Sequence, residues 1–127
     1  MDSIPKKIYY HDTDCGGVVY YANYLKFFEE GRTEYMAKRG IDLREWAKKG
    51  FLFVVKKTDI EYKSPARYAD DLSIDTIIAG MRSASITFHQ EVKRDGNLLV
   101  NCDTVLVCID STFRPAVMPQ ELVDCLK

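Results

Sequence analysis

The chain has 127 residues, enough for one domain, 1–127, that buries roughly two-thirds of its unfolded surface. Apolar residues make up 46% and charged residues 29%, and 18 basic side chains against 19 acidic leave a net charge of -1, which excludes wholesale attraction to nucleic acid or an anionic membrane surface. No apolar run reaches transmembrane length and MDSIPKKIYY lacks a signal-peptide core, so a cytosolic protein without an integral membrane segment is expected.

Ile8, Tyr9, Tyr10 and His11 read as a short strand entering an acidic turn, Asp12-Thr13-Asp14-Cys15-Gly16-Gly17. Gly16 and Gly17 let the backbone turn sharply or approach a ligand. A long helix follows, starting at Ala22 or Asn23 and ending at Gly40, about 17 or 18 residues and roughly 27 Å. Its core stripe is Tyr24, Phe27, Phe28, Gly31 and Tyr35, with Lys26, Glu30, Thr33 and Ala37 on the solvated side. The acidic turn thus precedes a helix N-terminus, where unpaired N–H groups and the positive dipole end gather.

A shorter helix begins at Asp42 with capping-box spacing to Glu45 and closes at Gly50, and its Trp46 is expected to pack on the long helix or the sheet. From Phe51 the period becomes two. Residues 52–62, Leu72 to Ile78, Ile86 to Val92 and Val100 to Cys108 read as strands, and Asp95-Gly96 marks a type I′ hairpin. Residues 119–126 read as a last short helix. One short strand, a long helix and about four long antiparallel strands imply an α+β architecture with the sheet curved around the helix. Such a sheet leaves its edges and outer face open, so self-association is expected.

Cys102 and Cys108 would lie about 20 Å apart on one strand, too far to bridge, and reduced thiols are expected at all four cysteines. With His11 and His89 the only histidines, no zinc site or other cofactor is called for. Counted as an EF-hand from Asp12, the loop has Gly16 and Asn23 where two ligands are needed. No phosphate-binding loop is present, and no cation lies beside Cys15 to activate its thiol. Composition alone favours Asp12 and Asp14 as turn residues bonding backbone N–H groups.

The motif evidence points further. Asp12-Thr13-Asp14-x-Gly16-Gly17-Val18-Val19-Tyr20, then Asn23-Tyr24, Glu29, Arg32-Thr33-Glu34, Phe53-Val54-Val55, Glu61-Tyr62-x-x-Pro65-Ala66-Arg67 and Val105-x-Val107-Cys108-Ile109-Asp110 together resemble the hotdog-fold acyl-CoA thioesterases. The likeness is greatest to the Tol–Pal-associated branch, related to the 4-hydroxybenzoyl-CoA thioesterases. It implies a hotdog fold, a long central helix wrapped by a curved antiparallel sheet, assembled as a homodimer or homotetramer with sites between subunits. It implies Asp14 as nucleophile or general base and the backbone N–H of Tyr21 as the donor that polarises the thioester carbonyl. Gly17, Val19, Glu29 and Arg82 are implied on the substrate side, for an acyl-CoA or acyl carrier protein thioester.

Two departures stand out. Tyr21 replaces the His common in the Tol–Pal branch, and Ser83 and Ala84 replace the basic residues that follow Arg82's counterpart. Glu29 and Arg32 at i,i+3 are read evenly as a surface ion pair or as substrate contacts. His89 reads as a surface or interface residue, His11 as shaping the turn and Arg67 as a loop anchor. A hotdog dehydratase or hydratase, which leans on a His, and a non-catalytic acyl-thioester binder are the competing functions.

Overall fold

The computed structural model describes residues 1–127. Its elements in chain order are β1 (Asp2–Lys7), a 3-10 turn (Tyr10–Asp12), α1 (Asn23–Lys38), α2 (Leu43–Lys48), β2 (Leu52–Tyr62), β3 (Asp71–Arg82), β4 (Ser85–Arg94), β5 (Asn97–Ile109) and α3 (Gln120–Leu126). The strands form one antiparallel sheet in the order β1-β3-β4-β5-β2. Extra residues at Lys56 and Ala79, and a slip between Val92 and Lys93, break the register. Such irregularities bend and twist a sheet enough to wrap a helix. This is the expected α+β, hotdog arrangement.

The first strand is not where the pattern placed it. Ile8–His11 forms no strand; β1 precedes it, paired with β3 through Ile4↔Ile74. Pro5 and two lysines masked it, yet all three suit an edge strand, where a missing N–H and exposed charge are tolerated. The helix is 16 residues long, with Ala22 at its N-cap and Gly40 in the left-handed region beyond its end. At α2 the Asp42 carboxylate caps the Arg44 N–H, but Glu45 pairs with Lys48 instead of closing a capping box. Asp95 and Gly96, at φ 52° and 79°, make the expected β4–β5 turn.

Tyr24, Phe27, Phe28, Gly31 and Tyr35 are all buried, as the stripe predicts. The helix lies over β1, β3 and β4, which leaves the β2 side of the sheet largely uncovered. Around its N-terminal half, Phe27 and Phe28 pack with Ile8, Ile74, Val92 and Val100. Around its C-terminal half, Tyr35 and Met36 pack with Trp46, Phe88, Leu106 and Leu122. A polar layer separates these two clusters. Gln90, fully buried, donates to the Phe28 carbonyl at 2.8 Å and to Thr76 Oγ1 at 3.0 Å, and accepts from Arg32 Nη1 at 3.2 Å. All four cysteines are free.

Candidate active site

The acidic turn is built by backbone bonds that only a tight reversal allows. The Asp14 N–H donates to the Val18 carbonyl and the Gly17 N–H to the Asp14 carbonyl, both at 3.0 Å, with Gly17 at φ +77°. Two tethers then fix the turn against α1. The Asp12 carbonyl accepts from the Tyr20 N–H at 3.0 Å and from Asn23 Nδ2 at 2.9 Å. Asn23 therefore does not cap its own helix; it ties the helix start to the turn. A second strap comes from residues 66–67, where the Val19 N–H donates to the Ala66 carbonyl and the Ala66 N–H donates to Tyr24 Oη at 3.0 Å. The backbone of Arg67, bridged to Val18, supplies the anchoring expected of that residue.

The two aspartates differ sharply. Asp12 is 7% exposed, and its Oδ2 accepts from the Tyr9 N–H at 2.9 Å, so it holds the turn. Asp14 is exposed; Oδ1 accepts from the Gly16 N–H at 2.9 Å and Oδ2 has no partner in the chain. One oxygen is oriented and the other is free to act. Tyr20, just before the helix start, titrates above its ordinary range, first because of Tyr21 and also because of the Asp14 carboxylate.

At that start, no group in the chain accepts from the N–H of Tyr21 or Ala22. The peptide that carries the Tyr21 N–H is held through its Tyr20 carbonyl, which accepts from the Asn23 N–H at 2.9 Å, and the next one through the Tyr21 carbonyl, which accepts from Tyr62 Oη at 3.2 Å. Beside it opens a cleft of about 240 Å³ lined by Val19, Tyr21, Tyr24, Tyr62, Lys63, Ser64 and Pro65. Tyr62 and the residues after it were not singled out from sequence. Their signal was present in the Glu61-Tyr62-x-x-Pro65 motif, but only the topology brings the end of β2 to the start of α1.

Asp14 and Gly17 thus share the turn, and Val19 and Tyr21 line the cleft that follows it. Glu29 and Arg32 do not form the i,i+3 ion pair considered from their spacing. Glu29 is exposed and accepts from Thr33 Oγ1 at 3.2 Å, whereas Arg32 turns into the core toward Gln90. Burial lowers the Arg32 pKa, but a guanidinium remains protonated. Arg82 is not at this site within one chain. It lies across the β3–β4 hairpin, at the far end of a β4 strand of ten residues, about 30 Å from the Arg94 end. That Arg94 end carries the loop beside the acidic turn, through the 2.6 Å Arg94–Asp70 pair. Arg82 instead lines a separate cleft of about 520 Å³ with Lys56, Ser83, Ser85 and Phe113.

A family model described as the thioesterase-like superfamily matches residues 9–126. The chain belongs to this superfamily. It is 38% identical over 121 residues to the acyl-CoA thioester hydrolase YbgC of Escherichia coli O6:H1, spanning 94% of this chain and 90% of that protein. It is 36% identical over 122 residues to the acyl-CoA thioesterase YbgC of Haemophilus influenzae, with the same two coverages. A probable thioesterase from Bartonella henselae superposes with a TM-score of 0.87 at 30% identity, over 93% of this chain and 98% of that one. The thioesterase-like assignment expected from the motifs therefore holds. No helix of this superfamily member is long and apolar enough to cross a membrane.

His89 lies on the sheet face away from α1, between Glu91 at 3.0 Å and Asp103 at 2.7 Å, as the surface reading anticipated. The Glu91 bond, aided by Asp103 and opposed by partial burial, raises its pKa. Its cross-strand neighbour on β3 is Ile77, and Asp59 stands beyond Asp103 on β2. A raised folded-state pKa adds stability that is full below the unfolded value of about 6.5 and is lost as pH rises through the folded value. The melting-temperature gap between wild type and His89→Gln should accordingly be largest near pH 6 and close on alkaline titration.

Proposed function

We propose that this protein hydrolyses acyl-CoA thioesters, with Asp14 as nucleophile or general base and the Tyr21 N–H as the donor to the thioester oxygen. The observation that carries this reading is the free Asp14 Oδ2 in a turn tied on three sides to a helix start whose Tyr21 and Ala22 N–H groups are unpaired. As nucleophile, Asp14 attacks the carbonyl carbon, the CoA thiolate leaves and water then cleaves the mixed anhydride. As base, it takes a proton from water as that water attacks the same carbon, and the CoA thiolate leaves as the C–S bond breaks. In either route negative charge grows on the carbonyl oxygen, where a well-placed N–H is worth about 3 kcal/mol. The two YbgC relatives, named as an acyl-CoA thioester hydrolase and an acyl-CoA thioesterase, support the same activity. Membership of the Tol–Pal-associated branch, a cytosolic location and acyl carrier protein as a second carrier belong to the same proposal.

The site is further proposed to lie between two copies. Most side chains of β2 are exposed, including Val54 and Val55, although it is one edge of the sheet. Two β2 edges paired antiparallel set the Leu52 end of one beside the Tyr62 end of the other. The Arg82–Lys56 cleft of a second copy then approaches the Tyr21–Tyr62 cleft of the first, offering the CoA phosphates cations beyond Lys63, which Glu61 already pairs at 2.7 Å. Sedimentation at micromolar concentration should give a dimer or a tetramer. A fully active monomer contradicts this part of the proposal.

Incubation with an acyl-CoA panel and a thiol reagent tests the activity. Free thiol is expected; hydration without thiol would mark a hydratase, and binding without either would mark a carrier.

A further inference from the structure

The arginines that form ion pairs are Arg39, Arg44 and Arg94. Arg32 is more buried than any of them, at 8% exposure, and its one hydrogen bond goes to a neutral amide, Gln90 Oε1. Every fully buried side-chain nitrogen of the chain has a partner, so the remaining N–H groups of Arg32 open on accessible space. That space is a cavity of about 170 Å³ walled mainly by Met36, Phe53, Val55 and Leu106. A buried cation among apolar walls is costly until an anion joins it.

The buried Cys102 and then Glu29 act on the guanidinium through space; Glu29, the one carboxylate on this cavity, is exposed and held by Thr33 Oγ1. Water screens its charge far more than that of Arg32. The cavity lies along the seam between α1 and β2, and the Tyr21–Tyr62 cleft opens at the other end of that seam. Nine residues of helical rise separate Asn23, at the helix start, from Arg32, about 14 Å, and the arginine side chain leans back toward the N-terminus.

We propose that Arg32 receives the far end of the acyl group, and that the preferred substrates are thioesters whose acyl chain ends in a carboxylate. This rests on the thioesterase reading and adds a substrate class to it. A carboxylate offers two acceptor oxygens to the planar fork of guanidinium donors. A methyl-ended chain fills the same apolar walls and leaves the cation alone.

The test is calorimetric binding of non-hydrolysable CoA thioethers, in pairs of equal chain length that end in methyl or carboxylate. For the best-fitting length, wild type should bind the carboxylate member about tenfold or more tightly. Arg32→Met should abolish that preference, and Arg32→Lys, which keeps the charge without the fork, should retain part of it. Equal or weaker binding of the carboxylate member at every length overturns the proposal, as does a preference that survives in Arg32→Met. If Arg32→Met does not fold, the wild-type and Arg32→Lys ratios decide alone, an unchanged ratio in Arg32→Lys counting against the proposal. Thiol release from ordinary acyl-CoAs is followed separately: its absence alongside a carboxylate preference rejects the thioesterase reading and leaves the tail site standing.

Discussion

Gly31→Ala should destabilise the protein by about 2 kcal/mol, although alanine is the better helix former by about 1 kcal/mol. The reason lies in how closely α1 approaches the sheet. A Cβ at position 31 would stand 2.8 Å from Gln90 Nε2, 2.8 Å from Thr76 Oγ1 and 3.0 Å from Ile74 Cγ2. None of these can retreat cheaply. Gln90 and Thr76 are buried and bonded to each other, and Gln90 also holds the Phe28 carbonyl and Arg32. Moving Gln90 strains each of those bonds, at about 1 kcal/mol apiece, so the clash outweighs the helical gain. Thermal melting should show a loss of several degrees. A higher melting temperature for Gly31→Ala would mean that the helix can lift from the sheet freely, and the polar layer would then not set the helix–sheet distance.

That layer also marks the limit of what the sequence disclosed. The stripe of α1, the Asp95-Gly96 hairpin and the strand faces were legible because each is a local rule about period or backbone conformation. The motif around Asp14 was legible as a resemblance, and the structure adds the physical difference between its two aspartates. Gln90, Thr76 and Thr104 were not legible: each is polar on a core-facing position, and their burial depends on partners from other elements. Arg32 was read as a surface ion-pair partner of Glu29 or a substrate contact because a charge beside a helix stripe is normally solvated, and only the facing Gln90 explains why it turns inward. β1 was missed for a related reason, since its six residues form a strand through pairing with β3 rather than through their own pattern. Arg82 was matched by motif, but its separation from Asp14 is a property of strand direction that no motif encodes.

Asp14→Asn should remove most thioester turnover while leaving the fold intact. Asn is close to isosteric and its side-chain oxygen can still accept from the Gly16 N–H, the one protein bond that the Asp14 side chain makes. What it cannot supply is a negative charge on the free oxygen. Loss of a general base costs about 10²–10⁴-fold in rate, and the anhydride route closes as well. Asp12→Asn should behave in the opposite way, because the Asp12 carboxylate is buried on the Tyr9 N–H and its carbonyl, unaffected by the change, still holds Tyr20 and Asn23. Its expected cost falls more on melting than on chemistry. The decisive measurement is turnover of one good acyl-CoA by Asp14→Asn, with melting recorded on the same sample. A fall of about 10²–10⁴-fold at an unchanged melting temperature is expected; near-wild-type turnover at that same melting temperature would contradict the catalytic role and leave Asp14 a turn residue.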